Sequence, residues 1–439
     1  DFDSKKESMY ALRPAFDTVA DMIGKGKKVP ESLLEIFENN PEYSAKLDSL
    51  INAKDKVPFK IFDKKNAEKL FGKNLNISAS QLEKFNLCRF SYFCNYGLNV
   101  RERLKAEINP MQYGTLVHYI LERFFSEYTK EEYLSLEEDK FIEIVRTYLS
   151  EYAVTYFGTE QLESNSFTYR LKTILDNVIY LMKHIMLELS QSEFFVADCE
   201  LKIGEDIPSC TIVLPDGHKI AVCGSVDRVD IMQRNGVSYL RVIDYKTGTK
   251  QFKLSDILYG INLQMLLYLH SIENSDSDKY GKITPAGILY MPATVPYISA
   301  DSLKSIDKLP DELNKNLKMN GLLLKDAEII HGMDKTDAAT YIPVKIKAGE
   351  PVSATSLATL EEFGKIFKKV DMLIAEMGKN IYDGNIEAKP LKGGHDSCEY
   401  CPYDSVCAYR QSSPINCFSV DNKAVIEEIT NEINGKEEE

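Results

Sequence analysis

The chain has 439 residues, of which 44% are hydrophobic and 27% are charged, and its formal net charge is −14. This composition predicts a soluble globular protein and excludes a disordered one, because enough apolar residues are present to bury a core. Apolar runs stay below the roughly 18 residues that cross a membrane, and the first residues lack the apolar stretch of a secretory signal. We therefore expect a cytoplasmic protein without membrane contact.

Two features of the composition bear on function. An acidic chain is a poor general match for nucleic acid, whose phosphates are met by Lys and Arg, although a carboxylate metal site is itself acidic. Nine cysteines, an odd number in a chain without a signal, argue against a disulfide framework and favour metal binding or burial. The missing initial Met indicates a fragment or a processed product.

The first 195 residues are predicted to be helical. Short helices fill 1–75, with Pro30, Pro41 and Pro58 as breaks, and continue from a missing upstream region. Ser80 begins a Ser-Gln-Leu-Glu capping box, so we expect a helix from there toward Cys88. Apolar residues at three- and four-residue intervals predict further helices, which cover 112–128, 140–157 and 167–193.

The pattern changes to strands at about residue 196. VADCELKIG, CTIVL, HKIAVCGSVDRVDIM and SYLRVIDYK are predicted strands, and Asn235-Gly236 predicts a tight hairpin turn. A helix is predicted over about 255–270, a strand near 286–291, an irregular insertion after 301 and a long helix over 355–382. The predicted class is α/β, a mixed central sheet flanked by helices. The predicted segments are 1–75, 76–130, 131–195, 196–300 (the core), 301–354 (the insertion), 355–417 and 418–439 (an acidic tail).

Two acidic residues and a lysine converge on the predicted hairpin. Asp227 and Asp244 fall on neighbouring strands, and Asp244 and Lys246 share one face because strand residues two apart point the same way. Two close carboxylates repel each other, and a divalent cation resolves that conflict. We expect Asp227 and Asp244, with the Tyr245 carbonyl as a third ligand, to bind Mg²⁺, or Mn²⁺ in its place. The bound ion would activate water and polarise a phosphate, and Lys246 would orient the water or stabilise developing charge. The alternative is a surface hairpin with ordinary salt bridges.

These residues resemble a known family. Gly224-x-x-Asp227-Arg-x-Asp, then Asp244-Tyr-Lys-Thr-Gly, then Gln264-x-x-x-Tyr268 resemble the RecB-like branch of the PD-(D/E)XK nuclease superfamily. The resemblance implies that Gln264 and Tyr268 support the site and contact the DNA backbone; otherwise they form a helix packing face. It also implies that His118, in Gly-x-x-x-His, is a metal ligand or site residue, although a helical His among apolar neighbours is often only packed. Glu122, one turn on, could hold its imidazole.

A second metal centre is indicated by Cys398-x₂-Cys401-x₅-Cys407. Thiolates at this spacing can share one ion or cluster, and Cys88 is the best candidate for the fourth ligand, with Cys94 as its rival. Spacing alone does not separate a [4Fe–4S] cluster from zinc. The group would close a loop of several hundred residues, a structural role. Cys199, Cys210 and Cys223 are interpreted as small core residues, and Cys417 is unassigned.

The split cysteine arrangement, together with Tyr96-Gly-Leu and Gly384-Asn-Ile-Glu-Ala-Lys-Pro390, resembles the AddB group of iron–sulfur nucleases over about 78–410; Arg89 stands where that group usually has Pro. The resemblance implies a PD-(D/E)XK core with added helical segments and a [4Fe–4S] clamp joining the N- and C-terminal parts. It implies a Mg²⁺-dependent DNA exonuclease that processes double-strand breaks in recombinational repair.

The chain carries no P-loop motif, so ATP-driven unwinding would belong to a partner of the AddA helicase–nuclease type. Three alternatives stay open: a stand-alone or CRISPR-associated iron–sulfur exonuclease, a catalytically dead DNA-binding module, and a zinc-stabilised interaction protein. Candidate phosphate contacts are Arg101, Arg103, Lys250 and Lys253, whose alternative is solvated surface charge.

Overall fold

The computed structural model describes residues 11–24, 27–52, 60–101, 110–157, 165–248, 251–275, 277–295, 314–336, 339–353, 355–407, 409 and 414–437. The chain forms two compact units, which divide between Lys60 and Ile61. The segment 61–75, predicted to continue the first helical region, therefore belongs to the second unit.

The first unit is a small helical body with its own apolar core. Its helices are α1 (Leu12–Gly24), α2 (Glu31–Glu38) and α3 (Ser44–Asn52). The rings of Phe16, Phe37 and Tyr43 meet with centroids 4.9 to 5.5 Å apart. Pro30 precedes α2 directly, as expected for a residue that fixes φ and lacks a backbone N–H to donate.

Helices make up most of the second unit outside its sheet. They are α4 (Lys64–Phe71), α5 (Ala79–Leu87), α6 (Arg89–Tyr92), α7 (Pro110–Glu127), α8 (Lys130–Leu134), α9 (Glu138–Phe157), α10 (Asn165–Gln191), α11 (Gln264–Glu273), α12 (Ala327–Met333), α13 (Leu360–Tyr382) and α14 (Asn422–Glu437). A π-helical turn follows α6 (Phe93–Gly97), and 3₁₀ turns cover Leu254–Tyr259 and Asp278–Tyr280. The predicted helices over 112–128, 140–157 and 167–193 correspond to α7, α9 and α10. No helix in the described part of the chain is both long and apolar enough to cross a membrane.

The strands build one mixed central sheet and three small ones. They are β1 (Asn74–Ile77), β2 (Phe195–Ile203), β3 (Thr211–Val213), β4 (Lys219–Val222), β5 (Gly224–Arg234), β6 (Val237–Lys246), β7 (Ile283–Pro292), β8 (Asn320–Leu324), β9 (Lys345–Lys347), β10 (Glu350–Val352), β11 (Leu357–Ala358), β12 (Leu391–Gly393) and β13 (Ile415–Cys417). The central sheet has the order β11-β8-β7-β6-β5-β2. Strands β5 and β6 form the predicted hairpin, with Asn235 and Gly236 at positive φ, whereas β6 and β7 run parallel.

Two helix boundaries differ from the prediction. The capping residue of α5 is Ser78, whose side chain accepts from the Gln81 N–H while Gln81 caps Ser78 in return, so the predicted start at Ser80 was wrong. The single helix predicted over 255–270 is a 3₁₀ turn followed by α11. Gly260, at φ +69°, separates the two, and a Cβ there would lie 2.3 Å from the Asn86 amide nitrogen. Gln264 is consequently the first residue of α11.

Two segments that were predicted to be peripheral contribute to the core. The predicted insertion supplies β8, which pairs antiparallel with β7 in the central sheet. The predicted acidic tail contains α14, which packs against α13 and buries Val425, Ile429 and Ile433 in the main hydrophobic core. Its acidic residues occupy the other positions of an amphipathic helix.

Candidate functional site

The predicted site lies where β5 and β6 separate. Their pairing is regular as far as Arg228 opposite Ile243. At the next residue the backbone pairing of the two strands stops, and the Asp227 carboxylate accepts the Tyr245 backbone N–H at 2.8 Å instead. Strand β6 continues beside β7, with Asp244 opposite Tyr290 and Lys246 opposite Pro292. The end of the hairpin therefore places both acidic residues next to each other, as the sequence pattern predicts.

Lys246 bridges the hairpin and α11. Its Nζ lies 2.5 Å from Asp244 Oδ2 and donates to Gln264 Oε1 at 3.3 Å. The Asp244 side chain is 4% exposed and that of Lys246 is 24% exposed, so the amine lies at the mouth of the site. Because Gln264 opens α11, the helix start presents its side chain directly to the strand end. Asp244, Lys246 and Gln264 thus meet, as predicted.

His118 reaches the same place from α7. Its Nδ1 lies 3.2 Å from Glu200 Oε1 and 3.7 Å from Asp227 Oδ1, and its Nε2 lies 3.4 Å from the Tyr245 carbonyl oxygen. His118, Glu200 and Asp227 each offer a ligand atom within 4.8 Å of the others. The imidazole was expected to be held by Glu122, but Glu200 is its hydrogen-bonding carboxylate.

The electrostatics of the site favour a cation. Burial and the Asp244 charge together raise the pKa of Asp227 to about 7, against the opposing effects of His118 and the Tyr245 N–H. Burial alone would lower the pKa of His118, but Glu200 and Asp227 outweigh it and raise that pKa to about 9. Carboxylates whose charge is this poorly compensated, beside an imidazole and a backbone carbonyl, fit a divalent ion such as Mg²⁺.

Glu200 is a site residue that the sequence reasoning missed. In β2, Cys199 pairs with Arg228 and Leu201 with Val226, so Glu200 lies across from Asp227 on the neighbouring strand. Its backbone has φ +49°, and Ser225 Oγ donates to its second oxygen at 2.6 Å. Burial raises the pKa of Glu200, but the hydrogen bonds from His118 and Ser225 outweigh it and hold the pKa below its ordinary value. An acidic residue inside the predicted strand VADCELKIG was the available signal.

Tyr268 belongs to α11 and packs against Gly224, the first residue of β5. A Cβ on Gly224 would lie 2.3 Å from the Tyr268 hydroxyl oxygen, so only glycine allows this approach. Tyr268 itself is buried, and burial, with the nearby Asp227 and Asp244 charges, raises its pKa. Gln264 and Tyr268 therefore lie on one face of α11 next to the acidic pair, as predicted.

A buried ionic network underlies the site on the opposite face of the sheet. Arg228 and Arg241 both contact Glu188 and Asp230, and all four side chains are 0% exposed. Arg228 also donates to the Tyr245 hydroxyl at 3.3 Å. Since Tyr245 supplies the carbonyl near His118, this network fixes the backbone that carries a predicted metal ligand.

The four predicted cluster cysteines meet around one cavity. Cys88, at the end of α5, and Cys398, Cys401 and Cys407 line a space of about 160 Å³. Cys94 is the alternative ligand. Burial and the nearby Cys401 and Cys88 thiols raise its pKa, but Cys94 does not line the cavity. This arrangement favours Cys88 over Cys94 as the fourth thiol.

The surroundings of these thiols suit an iron–sulfur cluster. Backbone N–H groups of Phe90 and Ser91 donate to Cys88, and that of Tyr409 donates to Cys407. Burial, with a smaller effect of the other three cysteines, raises the pKa of Cys407 to about 11 despite the Tyr409 contact. Bound iron would keep these thiols deprotonated, and N–H donors to sulfur are typical of iron–sulfur sites.

The remaining predicted residues are more scattered. Cys199, Cys210 and Cys223 are half-buried, and Cys199 packs against the main hydrophobic core. Cys417 is buried in β13. Arg101 and Lys253 are exposed, whereas Arg103 and Lys250 lie outside the described residues.

Comparison with known proteins agrees with this geometry. A model of a family described as the PD-(D/E)XK nuclease superfamily matches residues 76–408. Three relatives are each named as the B-type subunit of an ATP-dependent helicase/deoxyribonuclease. That of Clostridium acetobutylicum is 30% identical over 93% of this chain and 37% of its own length. That of Ruminiclostridium cellulolyticum is 33% identical over 87% and 34%, and that of Thermoanaerobacter sp. strain X514 is 30% identical over 98% and 39%. The chain spans little more than a third of these relatives.

Proposed function

Because the chain belongs to the PD-(D/E)XK nuclease superfamily, we propose that it hydrolyses phosphodiester bonds in DNA with a divalent metal ion. The observation that carries the proposal is the meeting of Asp227, Asp244 and Lys246 where β5 and β6 separate. This arrangement combines two acidic ligands with one amine at a partly open site, the chemistry that metal-assisted phosphate hydrolysis needs.

The ion we propose is Mg²⁺, with Mn²⁺ as a substitute. Asp227, Asp244 and the Tyr245 carbonyl would hold it, with His118 as a further ligand. Glu200 holds His118 in orientation and is close enough to join the ligand set. Bound there, Mg²⁺ would supply the charge that polarises the phosphate and lowers the pKa of water.

The protein's own groups would position the reactants. Lys246, once Asp244 turns to the ion, can donate to the attacking water or to the phosphate oxygen on which charge develops. Gln264 holds that amine at 3.3 Å, and Tyr268 fixes α11 against Gly224. Arg101 and Lys253 are candidate contacts to the DNA backbone, which would raise affinity without sequence preference.

The cysteine cavity would hold a [4Fe–4S] cluster bound by Cys88, Cys398, Cys401 and Cys407. We propose a structural role for it. The cluster would join the end of α5 to the segment after α13, 310 residues later, and closing a loop of that length with weak contacts alone costs conformational entropy.

The relatives' names support a larger setting. We propose that this chain corresponds to the nuclease part of such a helicase–deoxyribonuclease and acts as an exonuclease on DNA ends in double-strand break repair. Because the relatives are named as one component of a complex, we also propose a partner, a helicase–nuclease of the AddA type.

The decisive experiment is digestion of end-labelled single- and double-stranded DNA with Mg²⁺. We expect cleavage by the wild type and a loss of at least about a thousandfold for Asp244→Ala, with DNA binding in chelator preserved. The matched control is Asp216→Asn, which alters a half-exposed acid in the β3–β4 turn and should cut normally. Normal cutting by Asp244→Ala, or DNA binding without any cutting by the wild type, would overturn the proposal.

A further inference from the structure

A second group of metal-binding side chains lies outside the proposed nuclease site. Cys210 precedes β3, His270 belongs to α11 and Asp371 to α13, so three separate elements supply it. One potential ligand atom from each residue lies within 4.8 Å of the other two. His270 Nε2 and Asp371 Oδ1 lie 2.9 Å apart.

The imidazole of this group is held in place on two sides. Its ring stacks on Phe367 with centroids 4.8 Å apart and an interplanar angle of 20°. Its Nδ1 lies 2.7 Å from the side-chain amide of Asn274. The same Asn274 nitrogen donates to the His270 carbonyl oxygen at 3.1 Å, so the amide nitrogen faces the ring and Nδ1 accepts from it. Metal binding through Nε2 requires the proton to move to Nδ1, and Asn274 then has to turn its side-chain oxygen toward the ring to accept it.

The three side chains are of the classes that zinc prefers. A thiolate, an imidazole and a carboxylate are the ordinary ligands of Zn²⁺, whereas Mg²⁺ and Ca²⁺ prefer oxygen alone. Burial raises the pKa of the Cys210 thiol and the Asp371 charge adds to the effect, and a cation between them would offset both. Glu273, whose carboxyl pKa is raised by burial and lowered by His270, adds a further acidic group beside the imidazole.

We propose that Cys210, His270 and Asp371 form a zinc site, with a fourth coordination position open to water. The Asp371 side chain is 41% exposed, so the ion can enter from solvent. The site would tie β3 and α13 to α11, the helix that begins with Gln264 and carries Tyr268. Its role would be to hold that helix in place, and the case for zinc binding does not rest on the proposed nuclease activity.

The test uses the full chain, purified without oxygen so that the cysteine cavity keeps its iron. Zinc is added, unbound metal is removed, and zinc and iron per chain are measured by mass spectrometry. We expect one zinc per wild-type chain and a loss of at least tenfold in retained zinc for Cys210→Ser and Asp371→Asn, with iron unchanged. Cys199→Ser, which alters another half-buried free thiol, is the matched control and should keep its zinc.

Cobalt gives a second measurement that does not depend on metal retention. Co²⁺ bound at this site should produce a thiolate charge-transfer band in the near ultraviolet that disappears in Cys210→Ser. Zinc should also raise the thermal unfolding midpoint of the wild type but not of Asp371→Asn, which also detects a variant that fails to fold. Equal zinc in the wild type and Cys210→Ser, no zinc in the wild type, or zinc that depends on Cys398 instead would overturn the proposal.

Discussion

The carboxylate of Asp227 is needed for the proposed activity, but because it is buried its charge destabilises the metal-free protein. It is 9% exposed, and the Asp244 charge next to it helps to raise its pKa to about 7 from an ordinary value of 3.8. We predict that Asp227→Asn stabilises the metal-free protein near pH 8 while it abolishes cleavage. The Asn side-chain oxygen can still accept the Tyr245 N–H.

The size of the effect follows from the two pKa values. Because the folded-state pKa is raised, the stabilising contribution of this group is fully present below pH 3.8 and is lost as the pH rises through about 7. Each pKa unit of difference is worth about 1.4 kcal/mol, so the Asp227 carboxyl costs the folded state about 2 kcal/mol at pH 5, where it has to be protonated, and about 4 kcal/mol at pH 8, where it is mostly ionised. The advantage of Asp227→Asn should therefore grow by about 2 to 3 kcal/mol between these pH values.

The assay is denaturant unfolding of both proteins at pH 5 and pH 8, with divalent cations removed by a chelator. Mg²⁺ should narrow the stability difference at pH 8, since an ion present at 10 to 100 times its Kd stabilises the folded wild type by about 1.4 to 2.7 kcal/mol. Asp216→Asn is the control, because the His218 hydrogen bond lowers the pKa of that carboxyl and no gain at pH 8 is expected. An advantage of Asp227→Asn that is equal at both pH values, or a loss at pH 8, would refute the reasoning.

Three further changes test the surroundings of the two centres. Arg241→Met leaves Glu188 short of a buried partner and should lower the free energy of unfolding by about 3 to 5 kcal/mol, measured by denaturant unfolding; an unchanged midpoint would contradict it. Gly224→Ala places a methyl group 2.3 Å from the Tyr268 hydroxyl oxygen, so Mg²⁺-dependent cleavage should fall by at least about tenfold while bound iron stays constant. Cys94→Ser should keep its iron and its visible absorption, because Cys94 does not line the cysteine cavity; loss of iron would make it a ligand.

Local sequence patterns were enough to predict the acidic hairpin. Asn235-Gly236 sets the turn, and strand periodicity then determines that Asp244 and Lys246 share a face. These patterns depend on residues that are adjacent in sequence, so they can be interpreted without knowing the tertiary contacts. The same reasoning gave the approximate extents of α7, α9 and α10.

Features that depend on tertiary pairing could not be predicted in this way. Glu200 reaches His118 only because β2 pairs with β5 and because its own backbone adopts φ +49°, neither of which its neighbours in sequence reveal. The start of α5 also differed from the prediction, because two serines offer the same local capping pattern. Ser78 and Ser80 both precede a capping partner by three residues, and the chain uses Ser78, whose partner is Gln81 rather than Glu83. Glu83 instead accepts the Leu263 N–H just before α11.

Helix α13 connects the centres that the sequence motifs treat separately. It packs against α5, which ends at Cys88, and against α11, which begins with Gln264. It also carries Asp371 and leads toward the three-cysteine segment. A misplacement of about 1 Å can cost a hundredfold in rate, so the helix-borne Gln264 has to be held as firmly as the strand-borne Asp244. Strand pairing fixes Asp244, whereas Gln264 is held by the packing of α11 on β6, β7 and α13. For that reason we expect groups that anchor α13 to influence cleavage without touching DNA.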